Sequence, residues 1–195
     1  MNPSETLSAG DQALLLQLAR NAVHTTVQKG RKLPAVESLS PPLREKRGVF
    51  VTLWMEGELR GCIGFPYPTK PLAAAVQEAA VAAALYDPRF PAVRAEELSL
   101  LEVESSVLTE PRPISPRQVE VGVHGLIVRK GGKSGLLLPQ VAVEYRWDRE
   151  EFLGQTCVKA GLEPGAWKAG TEIFGFEAQV FSEGDLEKRR RKNSL

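Results

Sequence analysis

"GVFVTLWMEGELRGCIGF", Gly48 to Phe65, is the stretch whose reading decides the fold class. Its two halves, "GVFVTLWM" and "ELRGCIGF", read as strands joined across Glu56-Gly57, so a hairpin is expected at the centre of a sheet. A two-residue turn there pairs Cys62 with Val51 and Arg60 with Leu53, which puts the cysteine on the face of Val49, Val51 and Leu53. Strand alternation also sets Arg60, Cys62 and Gly64 on one face and Leu59, Gly61 and Ile63 on the other.

Upstream, residues 8–29 carry Leu14, Leu15, Leu18, Ala22 and Val23 at helical spacing. Ser8 with Asp11 opens that helix and Gly30 stops it. Downstream, "PLAAAVQEAAVAAAL" from Pro71 reads as an alanine-rich helix that ends at Asp87-Pro88, followed by the loop "DPRFPAV". "LLEVESSVL" is a further strand, and the proline-rich "EPRPISPR" is where a boundary can fall.

Beyond it, Val119, Val121 and Val123 alternate with polar residues and predict a strand, and "GLIVRKGGKSGLLLP" predicts a hairpin turning at Gly131-Gly132. Asp148 with Glu151 predicts the start of the helix "REEFLGQTCVKAG", which ends at Gly161, and "TEIFGFEAQVF" predicts a strand at 172–181. Hairpins outnumber βαβ units, so the class is α+β: two lobes, each with a mainly antiparallel sheet flanked by helices. The last strand can return to the first sheet. That gives a larger lobe of residues 1–115 plus 171–195 and a smaller inserted lobe of residues 116–170, with the ligand site expected in a cleft between lobes.

The 195 residues are 43% hydrophobic, enough for a real core, and the net charge is +1. Five of the 25 basic residues lie in the tail at 188–192, so the body is mildly acidic and nucleic-acid binding is disfavoured. Two cysteines with no C-x-x-C fit a reducing cytoplasm, and neither a signal peptide nor a membrane span is visible. No cofactor and no metal site are predicted.

Cys62 and Arg60, as neighbours on one strand face, suggest a thiolate favoured by a guanidinium. Gly61 and Gly64 mark a bulge or a place where another backbone or a ligand comes close. The strand exits toward Thr69 and Lys70 at the start of the alanine helix, where free N–H groups favour an anion, and Arg89 can add a cation. The competing reading is that Cys62 is a small core hydrophobe and the motif is structural.

His124, sharing a predicted strand face with Glu120, is the candidate base. His24 sits in the first helix away from any motif. Glu102, Glu104, Glu144 and Asp148 can line a cleft, although Asp148 is also explained as a helix cap. "KGGKSG" lacks the spacing of a phosphate loop and reads as a turn, and Cys157 reads as core.

"LRGCIG" at 59–64, "DPRF" at 87–90, "HGLIV" at 124–128 and "GLLLPQVAVEYRWDREEFLGQTCVKAGL" at 135–162 together resemble the AMMECR family, over roughly residues 10–182. The resemblance implies one two-lobed α+β domain with the larger lobe built from both chain ends. It also implies association with a Memo-like protein and a radical S-adenosylmethionine protein, and marks Leu59 to Gly64 as the presumed functional motif. The expected function is an enzyme or enzyme component that binds a small anionic ligand near Arg60 and Cys62. The alternative is a non-catalytic adaptor.

Overall fold

The hairpin forms, but a one-residue slip changes the face that Cys62 occupies. The computed structural model describes residues 6–30 and 39–186, which leaves the basic tail outside the described residues. β1 (Val49–Met55) and β2 (Glu58–Phe65) are joined by Glu56 and Gly57 at φ 53° and 84°, a tight turn whose twist suits antiparallel strands. Met55 pairs with Glu58 and Trp54 with Leu59, but Leu53 then pairs with Gly61 and Thr52 with Cys62. Arg60 is the extra residue of a β-bulge, so the expected pairing of Cys62 with Val51 is corrected to Thr52. A slip of one residue exchanges faces. Cys62 therefore lies with Phe50, Thr52 and Trp54, opposite the face of Val49, Val51 and Leu53.

β2 is also an edge strand, not the centre. With β3 (Leu101–Leu108) and β8 (Ala178–Ser182) the larger sheet runs β2-β1-β3-β8. Val49, Val51, Leu53, Val103 and Val107 are fully buried or nearly so, and their face forms one core with α1 (Ala9–Lys29) and α3 (Leu72–Leu85). Ser8 caps α1 by accepting the Asp11 N–H, and Gly30 ends it in the left-handed conformation, as the sequence predicts. The alanines of α3 let it lie close to both α1 and the β1–β2 hairpin. The short α2 (Pro41–Arg44) precedes the hairpin and buries Leu43.

The chain divides into two compact units, Leu108–Ala178 and the remainder on either side of it. The inserted unit has its own sheet, ordered β4-β7-β5-β6, from β4 (Arg112–Pro113), β5 (Gly125–Lys130), β6 (Lys133–Leu137) and β7 (Glu172–Phe176). Lys130 pairs with Lys133 across Gly131-Gly132, so the expected hairpin is present. α4 (Pro139–Glu144) is a short helix the sequence did not announce. α5 (Arg149–Lys159) carries the expected Asp148–Glu151 capping box and packs Phe152, Leu153 and Cys157 into this unit's core.

Two expected strands are corrected. Residues 119–124 form a turn: Gly122 has φ 84°, and the N–H groups of Val123 and His124 both return to the Glu120 carbonyl. Residues 172–181 are two strands broken at Glu177, so Glu172–Phe176 belongs to the smaller sheet and only Ala178–Ser182 to the larger. Both overall sheets are antiparallel in character and the α+β class stands. Among the described residues no helix is long and apolar enough to cross a membrane.

Candidate functional site

β2 is an edge strand whose outer backbone groups need partners. The segment after α3 supplies them. The Cys62 N–H donates to Asp87 Oδ2 at 2.8 Å, and Arg89 Nη2 donates to the Cys62 carbonyl at 3.2 Å. Asp87 in turn takes the Arg89 backbone N–H and two donors of its guanidinium at 2.7–3.1 Å. One Asp–Arg pair thus holds both polar groups of the Cys62 peptide. Since these groups point away from β1, Thr52 and Cys62 are a non-hydrogen-bonded cross-strand pair with close side chains. Thr52 Oγ1 accordingly donates to Cys62 Sγ at 3.4 Å.

A second pair holds the bulge. Arg60 donates through Nε and Nη2 to the two carboxylate oxygens of Glu97 at 2.7 and 3.1 Å, and through Nη1 to the Pro91 carbonyl at 2.9 Å. Glu97 belongs to the short turn Ala95–Glu97. The expected role of Arg60 as the cation beside the thiol is therefore corrected: the bulge removes it from the cysteine's face, and Glu97 occupies its guanidinium. Arg89 is the cation that favours the Cys62 thiolate.

Electrostatics at the sulfur oppose a preformed thiolate. Burial, above all, pushes the Cys62 thiol up, and Asp87 and Glu104 act in the same sense against the Thr52 hydrogen bond and Arg89. Asp87 is held down to about 2, chiefly by its Arg89 hydrogen bonds and then by the Cys62 N–H. Burial raises the Glu104 carboxyl, although the Trp54 side chain donates to it. Glu97 is held below the ordinary carboxylate range, first by Arg60.

The glycines of the motif have packing explanations. A Cβ on Gly61 would come 2.2 Å from the Ala83 carbonyl oxygen of α3, and one on Gly64 would come 2.4 Å from both the Phe50 ring and the Val49 carbonyl oxygen. These gaps hold protein. The start of α3 is less open than expected, because the Leu72 N–H is taken by the Glu45 carbonyl at 2.8 Å. Lys70 is paired with Glu78 and lies over the Phe65 ring at 4.6 Å, and the Thr69 N–H bonds the Tyr67 carbonyl.

His124 lies in the inserted unit, in the turn before β5, where its Nδ1 accepts the Glu120 N–H at 3.0 Å. Asp148 works as a cap, Glu102 accepts the Gly184 N–H at 3.1 Å, and Glu144 is exposed at the end of α4. Cys157 is fully buried, whereas Cys62 is partly exposed. Among the described residues, no group of three or more His, Cys, Asp or Glu converges as a metal site needs.

What sequence reading missed at this site is Asp87, Thr52 and Glu97. "DPRF" carried a signal, since an acid and a base one residue apart after a helix end can bind one another. Thr52 became visible only with the bulge.

The AMMECR1 family model matches residues 16–181. A protein from Thermococcus gammatolerans is 52% identical over 87% of this chain and 88% of its own, and one from Methanothermobacter thermautotrophicus is 48% identical over 91% and 96%. The crystal structure of an uncharacterized protein from Pyrococcus horikoshii superposes with a TM-score of 0.87 at 46% identity, covering 91% of this chain and 93% of that one.

Proposed function

The chain belongs to the AMMECR1 family, and on that premise we propose that it is an enzyme component presenting the Cys62 thiol to a small anionic ligand, in concert with Memo-like and radical S-adenosylmethionine partners. The observation that carries this reading is a cysteine whose backbone N–H and carbonyl are both held while the residue stays partly exposed. A cysteine needed only for packing is buried, as Cys157 is. Arg89 supplies the anion contact: its side chain is 51% exposed, and Nη1 makes no hydrogen bond among the described residues. A protonated resting thiol suits a component that reacts when its ligand or partner arrives and stays inert to bulk electrophiles.

The adaptor reading has an observation of its own. Arg60, Gly61 and Gly64 are accounted for by ion pairing and close packing, so most of "LRGCIG" can be architecture.

Alkylation with two probes separates the readings. In a Cys157→Ala background, the rate with anionic iodoacetate is divided by that with neutral iodoacetamide. An anion-accepting thiol gives a ratio about threefold or more above that of a free thiol, and the excess disappears in Arg89→Gln and at high salt. A ratio equal to that of a free thiol and indifferent to Arg89 refutes the anion site and leaves the adaptor.

A further inference from the structure

The register across three strands places a thiol, a hydroxyl and a carboxyl in one row. Cys62 on β2 pairs with Thr52 on β1, and Thr52 pairs with Glu104 on β3. Directly opposed residues on one sheet face have Cβ atoms about 4.5–5.5 Å apart, which puts the Glu104 carboxyl within a rotamer change of the Thr52 hydroxyl. Thr52 is 6% exposed and its Oγ1 already meets Cys62 Sγ at 3.4 Å. Trp54, two residues along β1 on the same face, is the side-chain partner of the Glu104 carboxyl. One row away, Ser106 is 1% exposed and its hydroxyl has no hydrogen-bond partner among the described residues, so this face carries buried polar capacity that packing leaves unused.

We propose that Glu104 is a positioning residue for the thiol chemistry, accepting the Cys62 proton through the hydroxyl of Thr52. The inference rests on the reading of Cys62 as a reacting thiol and adds where its proton goes. The Cys62 S–H bond breaks and its proton joins Thr52 Oγ1, as the proton of that hydroxyl passes to a carboxylate oxygen of Glu104. The electron pair stays on sulfur, leaving a thiolate, an unchanged threonine and a glutamic acid. In the resting structure Thr52 donates to Cys62 and Glu104 is paired with Trp54; a turn of the Glu104 side chain toward Thr52, with rotation of the hydroxyl, forms the relay, because one oxygen can donate or accept.

The surroundings fit that direction. Cys62 is faced by Arg89, Asp87 and Glu104, and Glu104 by Asp185 and Glu102. Burial and these two acidic neighbours make Glu104 more basic than an ordinary carboxylate, and Arg89 steadies the thiolate once formed.

The sign of one substitution tests the relay. As a mere charge beside sulfur, Glu104 hinders ionisation, so Glu104→Gln alone would speed alkylation of Cys62. As the proton acceptor, it does the reverse. The pH profile of iodoacetamide alkylation is measured on the full chain with Cys157→Ala. At pH 7 the relay predicts a fall of about tenfold or more in Glu104→Gln and in Thr52→Val, with Thr52→Ser close to the parent. At pH values that ionise the thiol outright, the parent and variants converge. Equal or faster reaction of Glu104→Gln at pH 7 overturns the relay and leaves the accessible thiol standing. A parent Cys62 that resists the reagent throughout the folded range overturns both.

Discussion

Two edge strands in this molecule receive the end of a helix, and they do it with the same device. On β2 of the larger sheet, Gly61 lets the Ala83 carbonyl of α3 approach to where a Cβ would be 2.2 Å away. On β6 of the smaller sheet, Gly135 does the same for the Ala160 backbone N at 2.4 Å. Beyond the glycine they diverge. β2 carries a bulge, two Arg–carboxylate pairs and a partly exposed cysteine beside its glycine, while Gly135 on β6 is flanked by Ser134 and Leu136. The helix-on-glycine contact is therefore sufficient to build an edge, and the polar apparatus around Cys62 is additional to it.

The comparison breaks most readily at the glycines themselves. Gly61→Ala and Gly135→Ala each force a side chain into backbone atoms, and each is expected to cost about 3 kcal/mol or more in chemical denaturation. An unchanged midpoint in either variant would show that one of the two contacts yields.

A smaller effect isolates the apparatus that only β2 possesses. The Asp87 carboxyl sits at about 2 in the fold, below its unfolded value near 4, so its stabilisation is present above that value and is lost as pH falls through about 2. Roughly 1–2 kcal/mol disappears over this window, after allowance for screening at the half-exposed Arg89. Glu97 shifts with the same sign. The measurement is thus the difference between parent and Asp87→Asn, which should shrink steadily from pH 5 to pH 2. A constant difference would mean that the pair does not hold the edge.

The smallest effect concerns the sulfurs. Cys157→Ala removes a fully buried core atom and is expected to cost about 1–2 kcal/mol, against less than about 1 kcal/mol for Cys62→Ala. Thermal unfolding of the two variants decides the order, and a reversed order would make Cys62 the packing residue.

Much of this edge was legible in the sequence. The turn at Glu56-Gly57, the capped helices and the Gly131-Gly132 turn depend on neighbours within a few residues, and all formed as read. The glycines allowed a bulge without placing it at Arg60, because what holds Arg60 out of register is a carboxylate 37 residues away. The same holds for Asp87, whose partner N–H lies 25 residues back. Reading Arg60 and Cys62 as face-mates followed from strict alternation, and one extra residue was enough to undo it. At 119–124 the valines alternated as a strand does, yet Gly122 in a left-handed conformation turned the chain. The Thr52–Glu104 row needed the register of three strands at once, which no local pattern contains.

The split at Glu177 sets an order of assembly on the ribosome. The inserted unit is contiguous and is synthesised in full by Ala178, while the larger sheet still lacks β8. Until residues 178–182 emerge, β3 has β1 on one side and a bare row of backbone groups on the other. A nascent or prematurely terminated chain ending at Ala178 thus carries a finished small unit attached to an unsealed sheet, a species primed for edge-to-edge aggregation.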